Sequence, residues 1–89
     1  MTANKNANGA TGYSDSTVEA CQSRCLGMAD CVAFDWDTSG ASNVQRCWIH
    51  TNKDQAAVLK DATGVNHYTR EQCDPGSGRL SFFQIIYCL

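Results

Sequence analysis

Six cysteines, at positions 21, 25, 31, 47, 73 and 88 of an 89-residue chain, constrain this protein more than any other feature of its sequence. A chain of this length has room for one domain, and it buries too small a share of its surface for apolar packing alone to hold it securely. An even cysteine count supplies the missing restraint as disulfides, which form and persist in oxidising compartments. The expectation is a secreted or cell-surface protein. Charged residues make up 18% of the chain and the net charge is −2. That leaves no basic stripe to neutralise a phosphate backbone, so nucleic acid is not an expected partner.

The ends of the chain add to this. Residues 1–6 are polar and hold no apolar stretch of signal-peptide length, so the expectation for an exported protein is that Met1 opens a mature fragment or an incomplete gene model. Residues 80–89 are apolar but amount to roughly half of the ~20 residues needed to cross a bilayer, and no membrane span is expected. No Asn heads an Asn-X-Ser/Thr sequon.

The first thirteen residues are rich in Asn, Gly, Ala and Thr without apolar periodicity, which reads as a loop or an edge strand. Ser16 and Glu19 have the spacing of a capping box, and a helix over 17–26, stopped near Gly27, follows from it. Val18, Cys21 and Cys25 then share one face and both thiols point into the domain. They are not expected to bond each other: Cβ atoms four apart on a helix lie about 5–6 Å from one another, against about 3.5–4.5 Å in a disulfide. Excluding that pair still leaves a dozen of the fifteen possible connectivities open.

From Cys31 to Asp37 the chain alternates, with Val32, Phe34 and Trp36 on one side and Ala33, Asp35 and Asp37 on the other, the period of a half-buried strand. The small polar stretch 38–45 reads as a hairpin loop, and 46–50 as the strand paired with the first. Asn52, with Gln55 three later, caps a short helix over 53–60, and 64–70 reads as a further strand. The turn residues of 73–78 end the pattern. Three segments result: a polar N-terminal segment or edge strand over 1–14, the domain proper over 15–73, and a turn with an apolar strand or appendage over 74–89.

Cys21-Gln22-Ser23-Arg24-Cys25, then Cys31-Val32-Ala33-Phe34, then Cys47-Trp48-Ile49, and finally His67-Tyr68-Thr69-Arg70 before Cys73 together resemble the PAN/apple domain family over roughly 15–73. The resemblance implies an α+β fold: a small disulfide-stapled domain with one helix packed on a curved antiparallel β-sheet. It also implies Cys25–Cys31 and Cys21–Cys47 bridges, each tying a helix thiol to the strand region. Apple domains join their last cysteine to one in an N-terminal strand, and here no cysteine precedes Cys21. Cys73 and Cys88 are therefore left to pair with each other, to stay free, or to link two chains.

The functional expectation carried by the resemblance is an extracellular, non-catalytic module that recognises protein or carbohydrate ligands. The alternative, of a different class, is a structural subunit that forms homo-oligomers, a matrix or a filament through its apolar tail and last cysteines. Neither catalysis nor a cofactor is expected. Asp35, Asp37, Ser39 and Gly40 imitate the opening of a calcium loop, but Arg46 stands where its bidentate Glu belongs. Both carboxylates are therefore expected to be solvated beside a Gly turn. His50 and His67 lack a Cys-x2-Cys pair and the thiols are claimed by disulfides, so no metal site is expected. Phe34 and Trp36 are assigned to the core. Trp48, with His50, Arg46, Arg70 and Tyr68 around it, is the expected ligand-binding surface; the competing reading buries Trp48 under the 53–60 helix.

Overall fold

A computed structural model describes residues 1–40 and 44–70. The C-terminal strand or appendage and the Cys73–Cys88 bridge lie outside the described residues. Along the chain the elements are β1 (Lys5–Asn6), β2 (Thr11–Tyr13), α1 (Val18–Leu26), β3 (Ala33–Asp37), β4 (Cys47–His50), α2 (Lys53–Ala56), β5 (Lys60–Asp61) and β6 (Val65–Thr69). Four strands form an antiparallel sheet in the order β2-β4-β3-β6, and β1 pairs with β5 in a separate ribbon.

The helix begins one residue later than the capping-box spacing suggests. Thr17 is the N-cap, and its hydroxyl accepts from the Ala20 amide at 3.1 Å. Ser16 is held in the approach to the helix, where its carbonyl accepts from Arg46 at 3.3 Å and its neighbour Asp15 receives two hydrogen bonds from Arg24. At the other end of α1, Arg70 donates to the carbonyls of Cys25 and Met28, satisfying acceptors that a helix C-terminus leaves without partners.

One face of the sheet packs on α1. Phe34, Trp36, Cys47 and Ile49 meet Cys21, Cys25 and Cys31 in a buried cluster, flanked by Tyr13, Val18, Met28 and Tyr68. Tyr68 stacks on Phe34 with ring centroids 4.6 Å apart. Cys21 is bonded to Cys47 and Cys25 to Cys31, the pairs that the resemblance implies, with Cα separations of 5.4 and 5.3 Å. The first bridge fastens α1 to β4, and the second fixes the turn that leads from α1 into β3.

The second face departs from the sequence reading. All of β3 up to Trp36 is buried and only Asp37 is partly exposed, so this strand is covered on both sides. The cover is the N-terminal segment. Thr2 bridges to His67 on the outer edge of β6, with both backbone hydrogen bonds formed. The chain then crosses the face, its Ala7 amide donating to Asp35 in the central strand, and reaches β2 at the opposite edge beside β4. The helix over 53–60 is also shorter than expected. Asn52 caps it as the spacing requires, accepting from Gln55 at 2.9 Å. It ends at Ala56, and Lys60 and Asp61 leave to pair with β1, which is part of this crossing strap.

Candidate functional site

The strap and the sheet enclose the candidate site. Three strands place Asp35, His50 and His67 on the covered face: Asp35 lies directly opposite His67, and His50 is opposite Ala33, one diagonal step away. Both polar backbone groups of His67 bond Thr2, so His67 faces Asp35 as a non-hydrogen-bonded pair, the kind that brings side chains closest. Asp35 Oδ1 lies 2.5 Å from His67 Nδ1 and Asp35 Oδ2 lies 2.7 Å from His50 Nε2. The Ala7 amide donates to the same Oδ2 at 3.1 Å. None of the three side chains is more than 3% exposed. Burial pushes the Asp35 carboxyl up, but the hydrogen bonds from His50, His67 and the Ala7 amide together outweigh it and hold the group below the usual carboxylate value.

Asp35 also borders a cavity of about 240 Å³. Residues 6–10 of the strap form one wall, and Trp48 and Val65 complete the other with Asp35. Trp48 is partly buried on β4 and lies opposite Gly12 on β2. A Cβ at Gly12 would stand 2.7 Å from Trp48 Cζ3, so the ring occupies space that only glycine leaves free. The Asn8 carboxamide at the rim is tied to Lys60 at 2.6 Å.

Of the five residues grouped around a ligand surface by the sequence, only Trp48 lines this cavity. His50 requires correction: it shares the face with Trp48 but is 1% exposed and committed to Asp35. Arg46 and Arg70 are employed structurally on the helix side. Arg46 stacks over Trp36 at 4.4 Å and donates to the Asp37 carbonyl, while Arg70 closes the end of α1. Tyr68 packs on Phe34. Asp35 is likewise not a solvated carboxylate, because the strap covers it; Asp37, partly exposed, accepts from the Ser39 amide at 2.8 Å.

With one helix against an antiparallel sheet and cysteines bonded 21 to 47 and 25 to 31, comparison with protein families finds the PAN domain model matching residues 4–73. The chain belongs to the PAN domain family. PAN domains are in general non-catalytic modules that bind protein or carbohydrate; they are typically extracellular, which two disulfides fit. Comparison with curated proteins and with solved structures gives no match. The match begins at residue 4 and thus includes the strap.

Among the described residues two groups carry donors for a metal. Asp15, Cys21 and Cys47 lie together, but both sulfurs are consumed in a disulfide. Asp35, His50 and His67 have free donor chemistry and ligand atoms within 4.8 Å of one another. The sequence reading missed this group because it sought partners for the histidines among the cysteines. The available signal was the register of three strands, with a carboxylate in the middle one.

Proposed function

We propose that this PAN domain is an extracellular recognition module, and that its ligand, a segment of a protein or a glycan, is held in the cavity beside Trp48. The observation that carries the reading is the placement of an indole against an open cavity, where its face offers a platform for a sugar ring or an apolar side chain. Asn6 and Asn8 add amide groups at the same cavity, and Asp35 is the one ionisable residue among the described residues that line it. The Asp35 oxygens are already occupied by His50, His67 and Ala7. An uncharged ligand with hydroxyl or amide groups suits such a lining, since among the described residues the cation at its rim, Lys60, is already engaged by Asn8.

A glycan array probed with the intact protein, followed by tryptophan fluorescence titration of any hit, tests the reading. The expected result is a saturable change in emission that Trp48→Ala abolishes while far-UV circular dichroism is retained. Binding that survives Trp48→Ala would move the site elsewhere, and silence on both glycan and peptide arrays would remove the proposal.

A further inference from the structure

We infer that Asp35, His50 and His67 form a binding site for a divalent transition metal of the zinc class, built across β3, β4 and β6 beneath the strap. The inference stands apart from the ligand reading above, because it concerns the buried side of the same wall. Two imidazole nitrogens and one carboxylate oxygen are a donor set suited to zinc and its neighbours, and unsuited to calcium or magnesium, which prefer oxygen throughout.

Each donor comes from a strand whose register is fixed by backbone pairing, so the three cannot drift apart. Their atoms lie within 4.8 Å of one another, with nitrogen to oxygen separations of 2.5 and 2.7 Å. Metal to ligand bonds of about 2.0–2.2 Å in a tetrahedron set ligand atoms roughly 3.3 Å apart. The two hydrogen-bonded pairs must therefore open by less than about 1 Å and the widest pair close by up to about 1.5 Å, through ring and carboxylate rotations. On binding, His50 Nε2 and His67 Nδ1 turn from Asp35 to the metal as lone-pair donors, and the proton of each neutral ring is carried on its other nitrogen.

Two further features complete the site. The Ala7 amide already holds Asp35 Oδ2, which orients the carboxylate from outside as partners of metal ligands commonly do. The cavity that shares Asp35 adjoins the cluster, on the side from which an ion and a water for the fourth position would come. Asp35 contributes one negative charge, which a divalent ion more than offsets, and among the described residues no cationic side chain lines the cavity.

The test uses the whole chain with its disulfides intact, treated with a chelator and with any remaining thiol alkylated, so that Cys73 and Cys88 cannot supply ligands. Zn²⁺ is titrated calorimetrically, and Co²⁺ is followed by visible absorption. The expected result is one saturable equivalent and cobalt bands of four-coordinate nitrogen and oxygen ligation. At a hundredfold excess of Zn²⁺ over its Kd, Tm should rise by roughly 10 °C. His67→Gln should weaken uptake by more than about 100-fold, beyond what loss of an outer partner gives. The wild-type titration decides the matter even if that variant fails to fold. No saturable uptake would show that the three residues form a hydrogen-bonded cluster and no metal site; unchanged uptake in a folded His67→Gln protein would overturn the assignment equally.

Discussion

Gly12 shows how much a single hydrogen in place of a side chain decides. It lies opposite Trp48, and a methyl group there would stand 2.7 Å from the indole and 2.5 Å from the Gln45 carboxamide oxygen. Gln45 is exposed and can swing away, but the indole is held between the sheet and the cavity. Gly12→Ala is therefore expected to displace the Trp48 ring and to destabilise the fold by about 1–3 kcal/mol, as overpacking generally does. Urea denaturation and a shift in tryptophan emission measure both effects. An unaltered emission maximum with unaltered stability would mean that the ring does not rest on Gly12. Phe34 illustrates the opposite situation, since it is fully buried and its phenyl ring fills the space between α1 and the sheet. Phe34 and Trp36 could be assigned to the core from alternation alone, because their face is the apolar one. Asp35 could not be placed in the same way. Its partners sit 15 and 32 residues away, and its burial depends on a strap with no apolar periodicity that is held by backbone and amide hydrogen bonds.

At the scale of the element, α1 separates two neighbouring hydroxyls that sequence spacing cannot distinguish. Ser16 and Thr17 each precede a plausible first turn, but only the Thr17 hydroxyl meets a helix amide. Thr17→Ala should cost about 1 kcal/mol and Ser16→Ala close to nothing, a contrast that paired urea midpoints resolve. Equal losses would mean that the cap is shared. The same helix is braced by Arg24, which donates to both oxygens of Asp15 and stacks over the Tyr13 ring at 4.1 Å. Those hydrogen bonds from Arg24 outweigh partial burial and hold the Asp15 carboxyl below its ordinary value. A depressed folded value makes the contribution of Asp15 complete above the unfolded carboxylate value and progressively lost as pH falls through the folded one. The difference in stability between wild type and Asp15→Asn should therefore be steady near neutrality and shrink below about pH 4. Its size should stay under about 1 kcal/mol, because Arg24 is solvated enough for screening to weaken the pair. A difference that grows on acidification would reverse this assignment.

Across the described residues, two bridges and one strap close a sheet that would otherwise expose a face. The helix, the β3–β4 hairpin and the late strand were legible because each has its own local period or cap. The α1 face of the domain could thus be read from sequence. The strap face could not: the route of residues 2–10 from the β6 edge to the β2 edge is settled by long-range backbone pairing at Thr2, Ala7 and β2, none of which leaves a periodic trace. The same distinction between local and long-range closure separates the two disulfides. Cys25–Cys31 spans 6 residues and restrains a turn that α1 and Arg70 already hold, whereas Cys21–Cys47 spans 26 and ties α1 to a strand beyond the hairpin loop. Loop-closure entropy assigns about 2 kcal/mol to the shorter bridge and about 3–4 kcal/mol to the longer. Replacing Cys21 and Cys47 together by Ala should accordingly lower stability by about 1 kcal/mol more than replacing Cys25 and Cys31 together, since both double variants remove fully buried sulfur or nearly so. Guanidinium unfolding of the two double variants under non-reducing conditions measures the gap. The reverse order would place the weight of the fold on the turn after α1, and with it on the Arg70 contacts that hold that turn to β6.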